Sequence, residues 1–152
     1  MIDLEIQRLV DGAGVPDDKQ FRAWVEHVLG DESSAMVNLR IVDNAEGWAL
    51  NKQWRGKDYP TNVLSFPADV PSLDDQRVLG DIVLCAPVIE REALEQGKDL
   101  AAHWAHLVIH GLLHLLGFDH THAEQAEVME SREIELLVGL GFDNPYESEH
   151  EH

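Results

Sequence analysis

The sequence has a single cysteine, Cys85, in 152 residues. One thiol excludes an internal disulfide and any zinc site built from several thiolates of one chain. It suits a reducing, cytoplasmic setting. Basic residues are scarce too: 11 Lys+Arg stand against 29 Asp+Glu, a formal net charge of −18. Charge alone then opposes binding to DNA, RNA or anionic membranes. A polyanionic partner has to be held at a local site or through another protein. No apolar run approaches the ~18 residues of a membrane span, and the longest, Leu107 to Phe118, is interrupted by two histidines and two glycines. The start, Met1-Ile2-Asp3-Leu4-Glu5, places acids where an export signal needs a basic and then an apolar stretch, so no such signal is expected.

What is present reads as one globular domain. Hydrophobic residues make up 44% and charged residues 26%, ordinary globular values. Ile2, Leu4 and Ile6 alternate with polar residues, as do Val37, Leu39 and Ile41, and both stretches predict half-buried strands. Phe21, Trp24, Val25, Val28 and Leu29 follow helical spacing up to Gly30. Asp43 and Glu46 suggest a helix start, and Gly56 its end. Val63–Phe66 and Asp81–Cys85 predict two short strands separated by a polar loop over 68–79 that contains Asp74 and Asp75. Pro87 opens a helix ending at Gly97, Asp99 caps another running to about Leu116, and Thr121 with Glu124 forms a capping-box pattern for a last helix reaching about Val138. The order predicts an α+β fold: a small mixed four-stranded sheet covered by about five helices. The domain is expected to span 1–145, with an acidic, flexible tail over 146–152 that includes His150 and His152.

The informative segment is His110-Gly111-Leu112-Leu113-His114-Leu115-Leu116-Gly117-Phe118-Asp119-His120. At ~100° per residue, His110 and His114 lie within ~40° of each other on a helix, so both imidazoles can reach one ion. Gly117 allows a sharp turn that brings His120 back towards it. For nine histidines in this chain, three at these offsets arise by chance roughly 0.03 times. His103 and His106 project to the same helical face, so periodicity alone does not say which pair binds metal. His110 and His114 are preferred because they stand within reach of the glycine and His120. His106 is then a neighbouring group, and His103, near the helix start, is expected to be exposed. The rest of the helix is apolar nearly all round, which predicts a buried, central, zincin-like helix. The offsets match the metzincin pattern H-E-x-x-H-x-x-G-x-x-H with one departure: Gly111 replaces the glutamate that serves those proteases as general base. A three-histidine zinc scaffold without a peptidase base argues for a hydrolytic site with another substrate. Asp119, beside the third histidine, either orients a histidine, acts as a base or caps the turn.

A second constellation is Arg55-Gly56-Lys57-Asp58-Tyr59-Pro60-Thr61-Asn62-Val63-Leu64-Ser65-Phe66-Pro67. Lys52, Arg55 and Lys57 form a local positive patch, and an arginine fork matches phosphate oxygens. From the patch alone, surface pairing with Asp58 and other acids is the better account. Thr61, Asn62 and Ser65 are compatible with turn chemistry. Cys85, alone, reads as a small buried hydrophobe.

These two segments, with Gly80-Asp81-Ile82-Val83, resemble the YbeY family of bacterial metal-dependent endoribonucleases. The resemblance runs from the helix at Gln20 through Asp143-Asn144-Pro145-Tyr146. It implies one zinc per chain on His110, His114 and His120, a functional Arg55, and action on single-stranded RNA in 16S rRNA 3′-end maturation and ribosome quality control. Lys57, His106 and Asp119 are then candidate supporting or substrate contacts. Implied partners are ribosomal RNA and small-subunit components, with no DNA and no membrane. The rivals are a zinc peptidase with an unusual base, which Gly111 disfavours, and a ribosome-assembly factor with structural zinc. The open fourth position of a three-ligand site disfavours the second, because structural zinc is normally closed by four protein ligands.

Overall fold

Alternating apolar residues form the strands, and helices cover both faces of the sheet they make. The computed structural model describes residues 2–10, 14–30, 35–68, 77–118 and 122–146. Asp74, Asp75, Asp119, His120, Thr121, His150 and His152 lie outside them. The described elements are β1 (Ile2–Arg8), α1 (Asp18–Leu29), β2 (Ala35–Val42), α2 (Asn44–Arg55), β3 (Val63–Pro67), β4 (Arg77–Cys85), α3 (Ala86–Gln96), α4 (Leu100–Leu115) and α5 (Ala123–Gly139). The sheet order is β1-β2-β4-β3. β1, β2 and β4 run parallel, and β3 pairs antiparallel with β4 as an edge strand. This is the expected α+β fold with a mixed four-stranded sheet and five helices.

The main core lies between one sheet face and α1, α4 and α5. Val37, Leu39, Ile41, Ile82 and Leu84 meet Phe21, Trp104, Val108, Ile109, Leu112 and Met129 there. Phe21 and Trp104 touch edge to face at 5.9 Å. The opposite face carries a smaller cluster of Val42, Leu64, Val83, Cys85 and Val88, against which Leu50 of α2 and Phe66 pack. Helix α4 is buried through most of its length, as its apolar wheel predicts.

Several boundaries differ from the sequence reading. β4 starts at Arg77, four residues before Asp81, because parallel pairing with the start of β2 extends it across a bulge at Met36/Val37. Gly80 permits this: φ is 134°, and a Cβ there would lie 2.2 Å from the Phe66 carbonyl oxygen. Asp43 caps α2 by accepting from the Glu46 N–H, but the Glu46 side chain pairs with Arg40 instead of closing a capping box. The full box occurs at Asp17 and Gln20. Asp99 occupies the N-cap position of α4 without a side-chain cap bond, and α5 starts after His122, not Thr121, also without one. Tertiary packing holds the start of α4, where His103 and Trp104 are buried.

Candidate metal centre and its surroundings

The histidine face of α4 divides between two carboxylates, a partly buried Glu92 and a buried Glu133. His103, expected to be exposed, is only 5% exposed. Its Nε2 lies 3.0 Å from Glu92 Oε1 of α3, and Asn62 Nδ2 donates to the same carboxylate at 3.0 Å. Burial alone pushes Glu92 upward, but hydrogen bonds from His103 and Asn62 hold it below its ordinary value. The helix start is covered because α3 folds back along it, which the spacing within α4 does not reveal. His103 is thus committed away from His114.

Glu133 organises the next turn. It sits on α5, is 1% exposed, and takes three hydrogen bonds. His106 Nε2 lies 2.7 Å from Oε2, His110 Nδ1 lies 2.6 Å from Oε1, and the Tyr146 hydroxyl donates to Oε2 at 2.5 Å. Burial would raise its pKa, but the bonds from His106, His110 and Tyr146, with the charge on His106, lower it to about 2. Glu133 therefore stays ionised. Its contribution is present above the unfolded value near 4.5 and lost only as pH falls towards about 2. An ionised carboxylate only accepts, so the proton of His110 resides on Nδ1. That leaves Nε2 as the basic nitrogen, and it lies 3.1 Å from His114 Nε2. Two nitrogens bound at ~2.05 Å to a tetrahedral zinc stand about 3.3 Å apart. The pair fits such an ion in spacing and in donor type.

The structure thus brings His110 and His114 together, with His106 behind them on the same carboxylate. Among the described residues no set of three metal-ligating side chains converges. His120 and Asp119 lie outside those residues. Sequence reasoning missed Glu133 and Tyr146. A signal for Glu133 existed: Met129, Glu133, Leu136 and Leu137 form the buried stripe of α5, and an acid in an apolar stripe needs a buried partner. Tyr146 is set by a turn in which its N–H donates to Asn144 Oδ1 at 2.8 Å.

Gly111 has a packing reason. A Cβ there would lie 2.9 Å from Ile82 Cγ2 and 3.2 Å from Ser65 Oγ. The helix presses against the sheet where metzincins carry their base, so no glutamate fits. Gly111→Ala is expected to lower stability by up to about 2 kcal/mol in urea unfolding, the ~1–3 kcal/mol of overpacking less the ~1 kcal/mol that alanine gains in a helix. Unchanged or increased stability would show that Ile82 yields freely.

Arg55 ends α2 and Lys57 follows Gly56, whose φ is 68°. Both side chains are exposed. Neither side chain forms a hydrogen bond or ion pair among the described residues, the described histidines included. Asp58, a possible partner for the patch, instead accepts from Trp48 Nε1 at 2.9 Å. Cys85 is the expected buried hydrophobe, 1% exposed, with its thiol pushed up by burial.

Comparison with known proteins extends these observations. A family model described as Endoribonuclease YbeY matches residues 11–141. A Pseudomonas putida (strain W619) protein named Endoribonuclease YbeY is 57% identical over 148 residues, covering 96% of this chain and 94% of that protein. A Methylococcus capsulatus protein of the same name is 56% identical over 146 residues, covering 96% of each. One from Alkalilimnicola ehrlichii is 54% identical, covering 95% of this chain and 91% of that protein. A solution structure from Thermotoga maritima superposes with a TM-score of 0.59 at 29% identity, covering 97% of this chain and 95% of that one.

Proposed function

The chain belongs to the YbeY family of endoribonucleases, and from that premise we propose that it is a zinc-dependent hydrolase cutting single-stranded regions of ribosomal RNA, including the 3′ end of 16S rRNA, in maturation and quality control. The observation that carries the metal part is the facing Nε2 pair of His110 and His114, with the His110 proton held on the far nitrogen by Glu133. In this reading His110, His114 and His120 hold the ion. When bound, zinc supplies Lewis-acid polarisation of the scissile phosphate. Glu133 fixes the ring and tautomer of His110, and His106 and Tyr146 keep that carboxylate in place. Arg55 offers its guanidinium to charge developing on the phosphoryl oxygens. Lys57 supplies a further phosphate contact, and Asp119 stands beside the third histidine. Gly111 leaves no peptidase base at the position where metzincins carry one.

An enzyme of net charge −18 is poorly made for scavenging RNA at large. Placement on small-subunit ribosome components reconciles that charge with an RNA substrate, and a cytoplasmic site of action follows. Among the described residues no helix is long and apolar enough to cross a membrane. The decisive experiment incubates metal-defined protein with a 16S rRNA precursor and, separately, with unfolded casein. RNA ends are expected to be trimmed, with or without small-subunit proteins, a chelator is expected to stop this, and casein is expected to stay intact. Chelator-sensitive proteolysis without RNA cleavage would reverse the assignment.

A further inference from the structure

Every large aromatic side chain exposed among the described residues falls between positions 48 and 59. Trp54 is 61% exposed, Tyr59 55% and Trp48 39%. Leaving such surface in water is unfavourable, and clustered exposure marks a contact surface. Trp48 is already engaged, because Lys52 Nζ lies 4.8 Å from its ring centre and its indole N–H goes to Asp58. Trp54 is different. It meets Phe66 of β3 edge to face at 5.9 Å, and most of its surface remains in solvent. The two rings border a groove of about 670 Å³ between α2 and the part of the sheet that α2 leaves uncovered. Its floor mixes apolar Leu50 and Val83 with paired polar groups: Asn38 donates to Asp81, and Arg40 donates to Gln7 and Glu46.

The charge at this rim runs against the rest of the molecule. Lys52, Arg55 and Lys57 are three of only 11 basic residues. Arg55 and Lys57 have no carboxylate partner among the described residues, although the chain has 29 acids. Unpaired cations one and three positions along the chain from an open indole suit phosphates spaced along a chain of stackable bases. A duplex does not fit this pattern, since its bases are already stacked and present only their edges. The location also suits a strand on its way to the histidines. β3 is the sheet edge, with Phe66 turned towards α2 while its neighbour Ser65 contacts the Gly111 carbonyl of α4 at 3.2 Å. The aromatic rim and the residue beside His110 therefore lie on opposite faces of one edge strand.

We infer that the α2 rim is a docking platform for single-stranded RNA, with one base stacked on Trp54 and an adjoining phosphate on Lys57. This rests on the endoribonuclease reading and adds how the substrate is held.

The test measures binding of a labelled, cleavage-resistant single strand of about 12 nucleotides, and of a blunt duplex of the same length, by fluorescence anisotropy. Trp54→Ala is expected to weaken single-strand binding about 10-fold or more, Trp54→Tyr to keep most of it, and duplex binding to be unaffected by either. Should Trp54→Ala fail to fold, Trp54→Leu, which keeps an apolar cover over Phe66 without an aromatic face, is expected to show the same loss. Binding by Trp54→Ala equal to that of the parent, while the parent still cleaves RNA, overturns the platform and leaves the nuclease reading standing. Intact RNA binding with lost capture of a ribosomal protein also overturns it, as a protein-docking face. A parent protein that neither binds nor cleaves RNA overturns both readings.

Discussion

Glu133→Gln protein is expected to bind zinc about 10- to 100-fold more weakly than the parent, the usual loss when a carboxylate behind a metal-bound histidine is removed. The physical reason is the tautomer. The carboxylate accepts from His110 Nδ1 on one oxygen and from His106 Nε2 and Tyr146 on the other. An amide turns one of those acceptors into a donor, so a donor then faces a donor in a site 1% exposed. His110 escapes by moving its proton to Nε2, the nitrogen that faces His114 at 3.1 Å. That proton then occupies the place where the metal would sit. Leaving one buried polar group unpaired costs a further ~1–3 kcal/mol, read as a lowered melting temperature of the metal-free protein. Glu133→Asp keeps the charge on a shorter arm and should recover part of the affinity. His114→Ala, which removes a ligand outright, sets the floor of the series. Competition against a chromophoric zinc chelator measures all four proteins without reference to RNA. Zinc affinity of Glu133→Gln within twofold of the parent would reduce the carboxylate to a packing role.

The contrast between Glu133 and the histidines shows where sequence reading stops. His110 and His114 were legible because a helix repeats every 3.6 residues, and four positions return to the same face. The strands were legible for the same kind of reason, Ile2–Ile6 and Val37–Ile41 alternating with the pleat. Both patterns are local. Glu133 reaches His110 across 23 positions and Glu92 reaches His103 across 11, and only the packing of α5 and α3 against α4 brings them together. Hence the same wheel that correctly grouped four histidines on one face did not show that two carboxylates divide it. Gly111 was read as a missing base, which is true of the chemistry. The structure adds that Ile82 and Ser65 leave no room for a side chain there. The early start of β4 has a similar origin, since Arg77 looks like loop sequence until it pairs with Ala35.

Arg55→Ala is expected to lower RNA cleavage by ~100-fold or more, the scale seen when one preorganised charge stabiliser is removed, while fold and metal content stay as in the parent. The side chain is exposed at the last position of α2, with no ion pair among the described residues. Its stability contribution is then limited to the cation at a helix C-terminus, ~0.3–1 kcal/mol. A large kinetic loss with so small a structural one is the signature of a group acting on substrate. Arg55→Lys should recover only part of the rate, because an ammonium keeps the charge and loses the planar fork that fits phosphate oxygens. The kinetic parameters separate this residue from its neighbour on the same helix. A residue that only holds RNA, as argued for Trp54, should raise KM and leave the saturated rate near that of the parent. A residue that meets charge appearing in the transition state should lower kcat even at saturating RNA. Arg55→Ala protein with full zinc content and near-normal kcat, but raised KM, would move Arg55 from the chemistry to the docking rim. Normal values of both would return it to the solvated surface, with the positive patch serving no more than solubility.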